Sequence, residues 1–166
     1  MRHFILLAGV VVLAGCSKQP DSLPEKPEFV RESRVDMNSP HADGAIIKDV
    51  MARAKGIPWR WTNQNPQLRV WLSDTANRKL HVEFAVADAT FKETGPIKVT
   101  WTVNDKTLDT VAYDSAGQKT YDHPIPPELL RADAENTVGA QIDKVWVSKT
   151  DGVKLGLILS QIGIVQ

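Results

Sequence analysis

Three stretches of this chain alternate apolar and polar residues with a period of two, at 68–73, 80–87 and 97–103. Successive side chains of a β-strand point to opposite faces, so such an alternation buries one face and leaves the other polar. A helix would need a period near 3.6 instead. The three stretches therefore predict half-buried strands, and Trp101 falls on the apolar face of the third, in the core.

The segments between and after these strands carry turn residues. Asn104 and Asp105 tolerate the positive φ of a tight hairpin turn, so 99–111, VTWTVNDKTLDTV, is expected to be a hairpin. Further strands are expected at 108–113, 117–123, 137–143 and 153–164. Many short strands with little helix predict an all-β sandwich.

The segment 45–55, AIIKDVMARAK, fits two structures. Ile46, Ile47, Val50, Met51 and Ala54 form a helical stripe that Gly56 and Pro58 would end. The first five residues could equally be a strand. Periodicity alone favours the helix, and the two alternatives stay open at this point.

Four phrases occur in order along the chain: WRWT at 59–62, TFKETGPIKVTWTVND at 90–105, YDHPIPPELL at 121–130 and IDKVWVSKTDGVKLGLILSQIGIV at 142–165. Together they resemble a bacterial β-sandwich module similar to the galactose-binding-domain-like jelly roll. The resemblance covers about 45–166 and implies a jelly-roll-like β-sandwich, similar to modules of glycan-handling and cell-envelope proteins. It brings no catalytic residue, and it favours a strand at 45–50 followed by a helical turn at 51–55.

The N-terminus combines a short basic start with the apolar run 4–14, FILLAGVVVLA, and then Leu13-Ala14-Gly15-Cys16. Eleven helical residues would reach only about 16 Å, half of a bilayer's hydrocarbon core, which indicates a signal peptide. Because Cys16 follows the small pair directly, the ending resembles the lipobox of bacterial lipoproteins. The resemblance implies cleavage before Cys16, acylation of that residue including a palmitate-type chain, and a bilayer as partner. Ser17 at the next position resembles cargo sent to the outer membrane.

These features divide the chain into a signal peptide at 1–15, a lipidated N-terminus and polar tether at 16–44, and a sandwich domain at 45–166. The tether contains Pro20, Pro24, Pro27 and Pro40 and too few apolar residues to form a core. The alternative is that Phe29, Val30 and Val35 dock on the domain.

Charge excludes one class of partner. Lys plus Arg total 20, as do Asp plus Glu, and removal of 1–15 deletes only Arg2, so 19 positive against 20 negative residues leave a formal charge of −1. Without a basic excess, nucleic acid is not an expected partner.

No catalytic or metal motif is apparent, and no cofactor is implied. The histidines His41, His81 and His123 are far apart and lack metal-binding spacing. Asp143 and Asp151 carry oxygen ligands that would suit calcium, but a turn explains Asp151-Gly152 more simply. The sequence therefore predicts neither an enzyme nor a metal site.

Exposed tryptophans are the best candidate for a binding site, because apolar sugar faces stack on aromatic rings. The candidate stacking residues are Trp59, Trp61, Trp71 and Trp146. The alternative is that these rings pack in the core. The expected function is that of a membrane-anchored, non-catalytic envelope lipoprotein that binds a polysaccharide or an envelope protein. An accessory lipoprotein with protein partners only is the first alternative, and a glycan-processing enzyme is the second.

Overall fold

The computed structural model describes residues 27–166. Two short helices are present, α1 (Ala42–Ala45) and α2 (Asp88–Thr94), together with a 3-10 turn at Pro127–Leu129. All other regular elements are strands: β1 (Arg34–Asp36), β2 (Ile46–Val50), β3 (Arg60–Leu72), β4 (Lys79–Val86), β5 (Ile97–Val103), β6 (Lys106–Tyr113), β7 (Gly117–Pro124), β8 (Ala134–Ile142), β9 (Trp146–Val147), β10 (Lys154–Leu155) and β11 (Ile158–Val165).

The strands form two antiparallel sheets and one small hairpin. The first sheet has the order β1-β11-β4-β7, and the second has the order β2-β3-β8-β5-β6. Strand β3 joins the two sheets, because its start pairs with β11 and its later part pairs with β8. Strands β9 and β10 pair only with each other. The prediction of an all-β, jelly-roll-like sandwich is confirmed.

The hydrophobic core lies between the two sheets and follows the alternation in the sequence. Phe84 of the first sheet meets Trp101 of the second edge-on, with ring centroids 5.4 Å apart. Trp101 is 1% exposed and also stacks on Tyr121 at 4.9 Å. The expected core position of Trp101 is confirmed.

The predicted hairpin at Asn104-Asp105 is present. Both residues have positive φ, 49° and 64°, and Val103 pairs directly with Lys106. Positive φ at both central positions is the geometry that matches the twist of the flanking strands. Local turn chemistry alone was sufficient to predict this connection.

The ambiguous segment 45–55 is a strand at Ile46–Val50 that follows the four-residue helix α1. Residues 51–55 form no helix, so the expected helical turn there is wrong. Pairing of β2 with β3 satisfies the backbone of this segment and outweighs its helical periodicity. Helix α2 was not expected, because its sequence DATFKET has no apolar stripe and only Thr90 is buried.

Part of the range assigned to the tether belongs to the sandwich. Strand β1 pairs with β11, and Val35 is 4% exposed. Before β1, Phe29 packs against the core, and the backbone N–H of Trp71 donates to the Glu32 carbonyl at 2.8 Å. The structure thus favours the docked alternative for Phe29 and Val35, whereas Val30 is exposed.

The signal peptide, Cys16 and the first part of the tether lie outside the described residues. Within residues 27–166, no helix has the length and apolar character that would let it cross a membrane.

Candidate functional site

Two of the four candidate tryptophans meet in one cleft at the edge of the sandwich. Trp61 from the start of β3 and Trp146 from β9 line a cavity of about 310 Å³. Leu155 of β10 completes the apolar wall, and three residues of α2 close the cavity: Ala89, Thr90 and Glu93. We call this the aromatic cleft.

The side chain of Arg60 determines how the segment WRWT, residues 59–62, is oriented. The Arg60 side chain points inward, is 1% exposed, and donates from Nη1 to Asp43 Oδ1 at 2.5 Å. Because side chains alternate along an extended chain, Trp59 and Trp61 face the other way. Their rings meet edge-on, with centroids 6.1 Å apart and planes at 88°. Trp59 therefore supports one wall of the aromatic cleft.

Trp71 is not part of the cleft. It lies ten residues further along β3, where the Arg31 guanidinium sits 4.4 Å from its ring centroid. A similar contact joins Arg69 to Phe29 at 5.2 Å. These two cation–π contacts fasten the segment before β1 to the sandwich.

One carboxylate provides the polar chemistry of the aromatic cleft. The Thr90 hydroxyl already donates to the Ala87 carbonyl at 3.0 Å. Glu93 is exposed and lines the cleft, so its oxygens remain available to accept hydrogen bonds. Lys144 lines a narrower gap next to the cleft, and its ammonium donates to the Thr94 carbonyl at 2.9 Å. The cleft therefore offers two indole rings, an aliphatic wall and an acceptor.

The histidines lie elsewhere. His41 is exposed beside α1, and His81 lies between two carboxylates, with Nδ1 3.0 Å from Asp122 and Nε2 3.3 Å from Glu83. The hydrogen bond from His81 lowers the pKa of Asp122, to which Lys79 also contributes. This cluster links β4 to β7 on the outer face of the first sheet.

His123 lies at the end of β7. Its ring stacks on Tyr121 at 5.9 Å, and its Nδ1 is 3.5 Å from Asp109. The Tyr121 hydroxyl donates to the same carboxylate at 3.4 Å, and burial, together with the negative charge of Asp109, raises the pKa of Tyr121. These contacts hold the edges of the two sheets together.

The acidic residues considered for calcium have structural partners. Asp143 accepts a hydrogen bond from the Lys98 backbone N–H at 2.7 Å, and Asp151 accepts one from Val153 N–H at 3.2 Å. Gly152 has φ of 71°, which makes Asp151-Gly152 a turn. Among residues 27–166, no three His, Cys, Asp or Glu side chains are grouped so that they could hold a metal.

Four cleft residues were missed from the sequence: Leu155, Ala89, Thr90 and Glu93. Leu155 was placed in a continuous final strand, although the chain forms the separate hairpin β9–β10 before β11. Ala89, Thr90 and Glu93 lie on the unexpected helix α2. The segment 88–94 lies between two strands and contains no Gly or Pro. This lack of helix-breaking residues is the one sequence signal that could have indicated a short helix there.

Comparisons with known proteins give no match in sequence: neither a protein-family model nor a curated protein matches the chain. Several solved structures are similar in three dimensions. A family 35 carbohydrate-binding module from Clostridium thermocellum has a TM-score of 0.48 at 11% identity, with 80% of this chain and 97% of that one covered. The CBM36-1 domain of a multidomain xylanase from the hindgut metagenome of Trinervitermes trinervoides has a TM-score of 0.47 at 9% identity, covering 80% and 95%. A family 35 carbohydrate-binding module from Cellvibrio japonicus has a TM-score of 0.46 at 14% identity, covering 81% and 94%.

Proposed function

We propose that this chain is a lipid-anchored protein of the bacterial cell envelope whose sandwich binds a glycan in the aromatic cleft without processing it. The observation that carries the proposal is the meeting of Trp61 and Trp146, from opposite halves of the sequence, at one solvent-accessible cavity. Both rings are only partly buried, so part of each indole surface is accessible to solvent and to a ligand.

The chemistry of the cleft suits a sugar ring. A pyranose has apolar C–H faces, which stack on indole rings, and hydroxyls at its rim, which donate hydrogen bonds to a carboxylate. The cavity, about 310 Å³, is at the lower end of the range for small-ligand sites. A site with two aromatic walls and one acceptor, Glu93, can bind and orient a sugar residue. Within residues 27–166 it lacks the paired carboxylates of a glycosidase, since Glu93 is the one acid of this range that lines it.

The N-terminal sequence supports the anchor and the location. The order Ala14-Gly15-Cys16 after an apolar run provides an acylation site, and the nearly neutral domain has no charge excess to bind a bilayer electrostatically. Each buried methylene of an acyl chain contributes about 0.8 kcal/mol, so two or more chains hold a protein stably. We place the protein in the outer membrane, on the basis of Ser17.

The binding proposal can be tested with the purified protein and immobilised cell-wall polysaccharides. We expect retention, a shift of tryptophan fluorescence, and at least a tenfold loss of affinity in Trp146→Ala with little change in thermal stability. Trp71→Ala is the matched control: it removes the same ring but lies outside the cleft, so it should leave affinity unchanged. Equal affinity of the Trp146→Ala and unsubstituted proteins would exclude the cleft as the site.

The same assay separates the two alternative functions. An accessory lipoprotein would not be retained by any polysaccharide and would be isolated instead with a specific envelope protein. A glycan-processing enzyme would release product from the immobilised polysaccharide, and substitution of one carboxylate would abolish the release.

A further inference from the structure

A second concave site lies on the outer face of the second sheet, away from the aromatic cleft. Two cavities of about 130 and 320 Å³ lie side by side and share two residues of their walls, Asn65 and Gln141. They therefore form one continuous groove. Three of the other twelve lining residues are apolar, Pro66, Ala140 and Ile142, and nine are polar or charged: Lys48, Gln64, Gln67, Lys98, Thr100, Thr102, Asp105, Thr110 and Asp143.

An irregular excursion of β3 builds one wall of this groove. Lys48 pairs with Gln67, and Val50 pairs with Thr62. Between these two pairs, the single residue Asp49 of β2 lies opposite the four residues 63–66 of β3. The extra residues of β3, at 63–66, bulge out over the sheet. Bulges of this kind re-aim side chains and are frequent beside functional sites.

The excursion is held in place by a residue in an unusual conformation. Asp49 on β2 has φ of 58°, which costs free energy in any residue with a side chain, although aspartate tolerates it best. Its carboxylate accepts a hydrogen bond from the Asn65 backbone N–H at 2.9 Å. Asn65 is thus fixed through its backbone, and its side-chain amide remains available to a ligand.

The other wall residues are fixed by one another. Gln67 donates to Asp105 at 2.7 Å, Gln64 donates to the Ile142 carbonyl at 3.1 Å, and Thr100 bonds Thr110 at 3.0 Å. Gln141 lies between them, with an exposed side chain that forms no hydrogen bond within residues 27–166. Preorganised walls with free amides at their centre lower the entropic cost of binding.

The charges of the groove are balanced at both ends. One end has Lys48 and Asp105, and the other has Lys98 and Asp143. A strongly charged ligand would therefore meet an unfavourable partner at either end. Amides and hydroxyls both donate and accept hydrogen bonds, as sugar hydroxyls do. No aromatic ring from the described part of the chain lines either cavity, so binding here would depend on hydrogen bonds rather than on stacking.

We propose that this groove is a second, independent binding site that takes a neutral, hydroxyl-rich chain of an oligosaccharide. It does not depend on the aromatic cleft, because no residue that the structure describes lines both sites. A long polysaccharide that engages both sites would be held more tightly than either site holds a short one.

The test follows backbone amide signals by NMR in the isotope-labelled protein during titration with four neutral probes: cellohexaose, xylohexaose, laminarihexaose and fully N-acetylated chitohexaose. We expect at least one probe to shift the signals of Asn65, Thr100 and Gln141 together. Gln141→Ala should weaken that response at least tenfold. Gln118→Ala, the same change on exposed strand β7, should leave it unchanged.

Two further comparisons separate this site from the proposed function. Trp146→Ala should leave the groove response within twofold of the unsubstituted protein. If probes shift the signals of Trp61 and Trp146 but not those of the groove, the groove is not a site while the proposed function stands. If they shift only the groove, the aromatic cleft fails and the groove stands. Absence of any shift with all four probes overturns the groove.

Discussion

Asn136 of β8 is completely buried, and its side chain joins three segments of the chain. Its Oδ1 accepts hydrogen bonds from Arg131 N–H at 2.8 Å and from Asn104 Nδ2 at 2.8 Å. Its Nδ2 donates to the carbonyls of Arg131 at 2.9 Å and Ala134 at 3.2 Å. The amide thus joins the turn of the β5–β6 hairpin and the loop before β8 to strand β8.

Truncation of this amide should be among the costliest single changes in the domain. Asn136→Ala removes four hydrogen bonds, each with a net contribution of about 1 kcal/mol, and leaves buried partners without water. We expect the free energy of unfolding to fall by about 4 kcal/mol, a large part of the 5–15 kcal/mol typical of a domain. With a slope near 2 kcal/mol per molar urea, the unfolding midpoint should fall by roughly 2 M.

Urea unfolding followed by tryptophan fluorescence measures this loss. Asn136→Asp keeps the shape but turns the donor nitrogen into an acceptor that faces two carbonyls, so it should destabilise the domain at least as strongly. Asn65→Ala is the exposed control and should change the free energy of unfolding by less than about 0.5 kcal/mol. A loss below about 1 kcal/mol in Asn136→Ala would refute the reasoning.

Three further predictions concern the N-terminal part and the first sheet. Gly163→Ala would place a Cβ 2.4 Å from the Arg34 Cα, so it should displace β1 and accelerate proteolysis before residue 37. The hydrogen bond from His81 holds the pKa of Asp122 in the folded protein below its value in the unfolded chain, which is about 3.9. The ionised Asp122 side chain therefore stabilises the fold at pH values above about 3.9, and this stabilisation is lost as the pH falls through the folded pKa. Asp122→Asn should therefore flatten the acid side of a plot of thermal midpoint against pH, and an unchanged plot would contradict this origin. Cys16→Ser should abolish incorporation of labelled palmitate and leave the precursor uncut, and continued processing would contradict the anchor.

Residues with a local chemical reason for their position were predictable. The alternation around Trp101 identified its buried face, and Asn104-Asp105 identified a hairpin, because both depend on neighbours within a few residues. Helix α2 and the hairpin β9–β10 were not predictable in the same way. Each is too short for its own periodicity, and each is stabilised by packing against the other, through Thr90 and Trp146.

The choice between helix and strand at Ile46–Val50 shows the same limit. Its periodicity favoured a helix, but the free backbone of β3 offered partners that a helix could not use. The docking of Phe29 likewise depended on Arg69, a residue far away in the sequence. Such contacts leave no pattern in either segment alone.

By itself, the sequence determined that 68–73, 80–87 and 97–103 fold into strands and which face of each is buried, because a period of two acts within single segments. Only the tertiary structure decided which strands pair, that residues 34–36 join the first sheet, and that Trp61 and Trp146 line one cavity. These outcomes depend on the mutual fit of distant segments, whose burial and hydrogen bonds exist only after the whole chain has packed together.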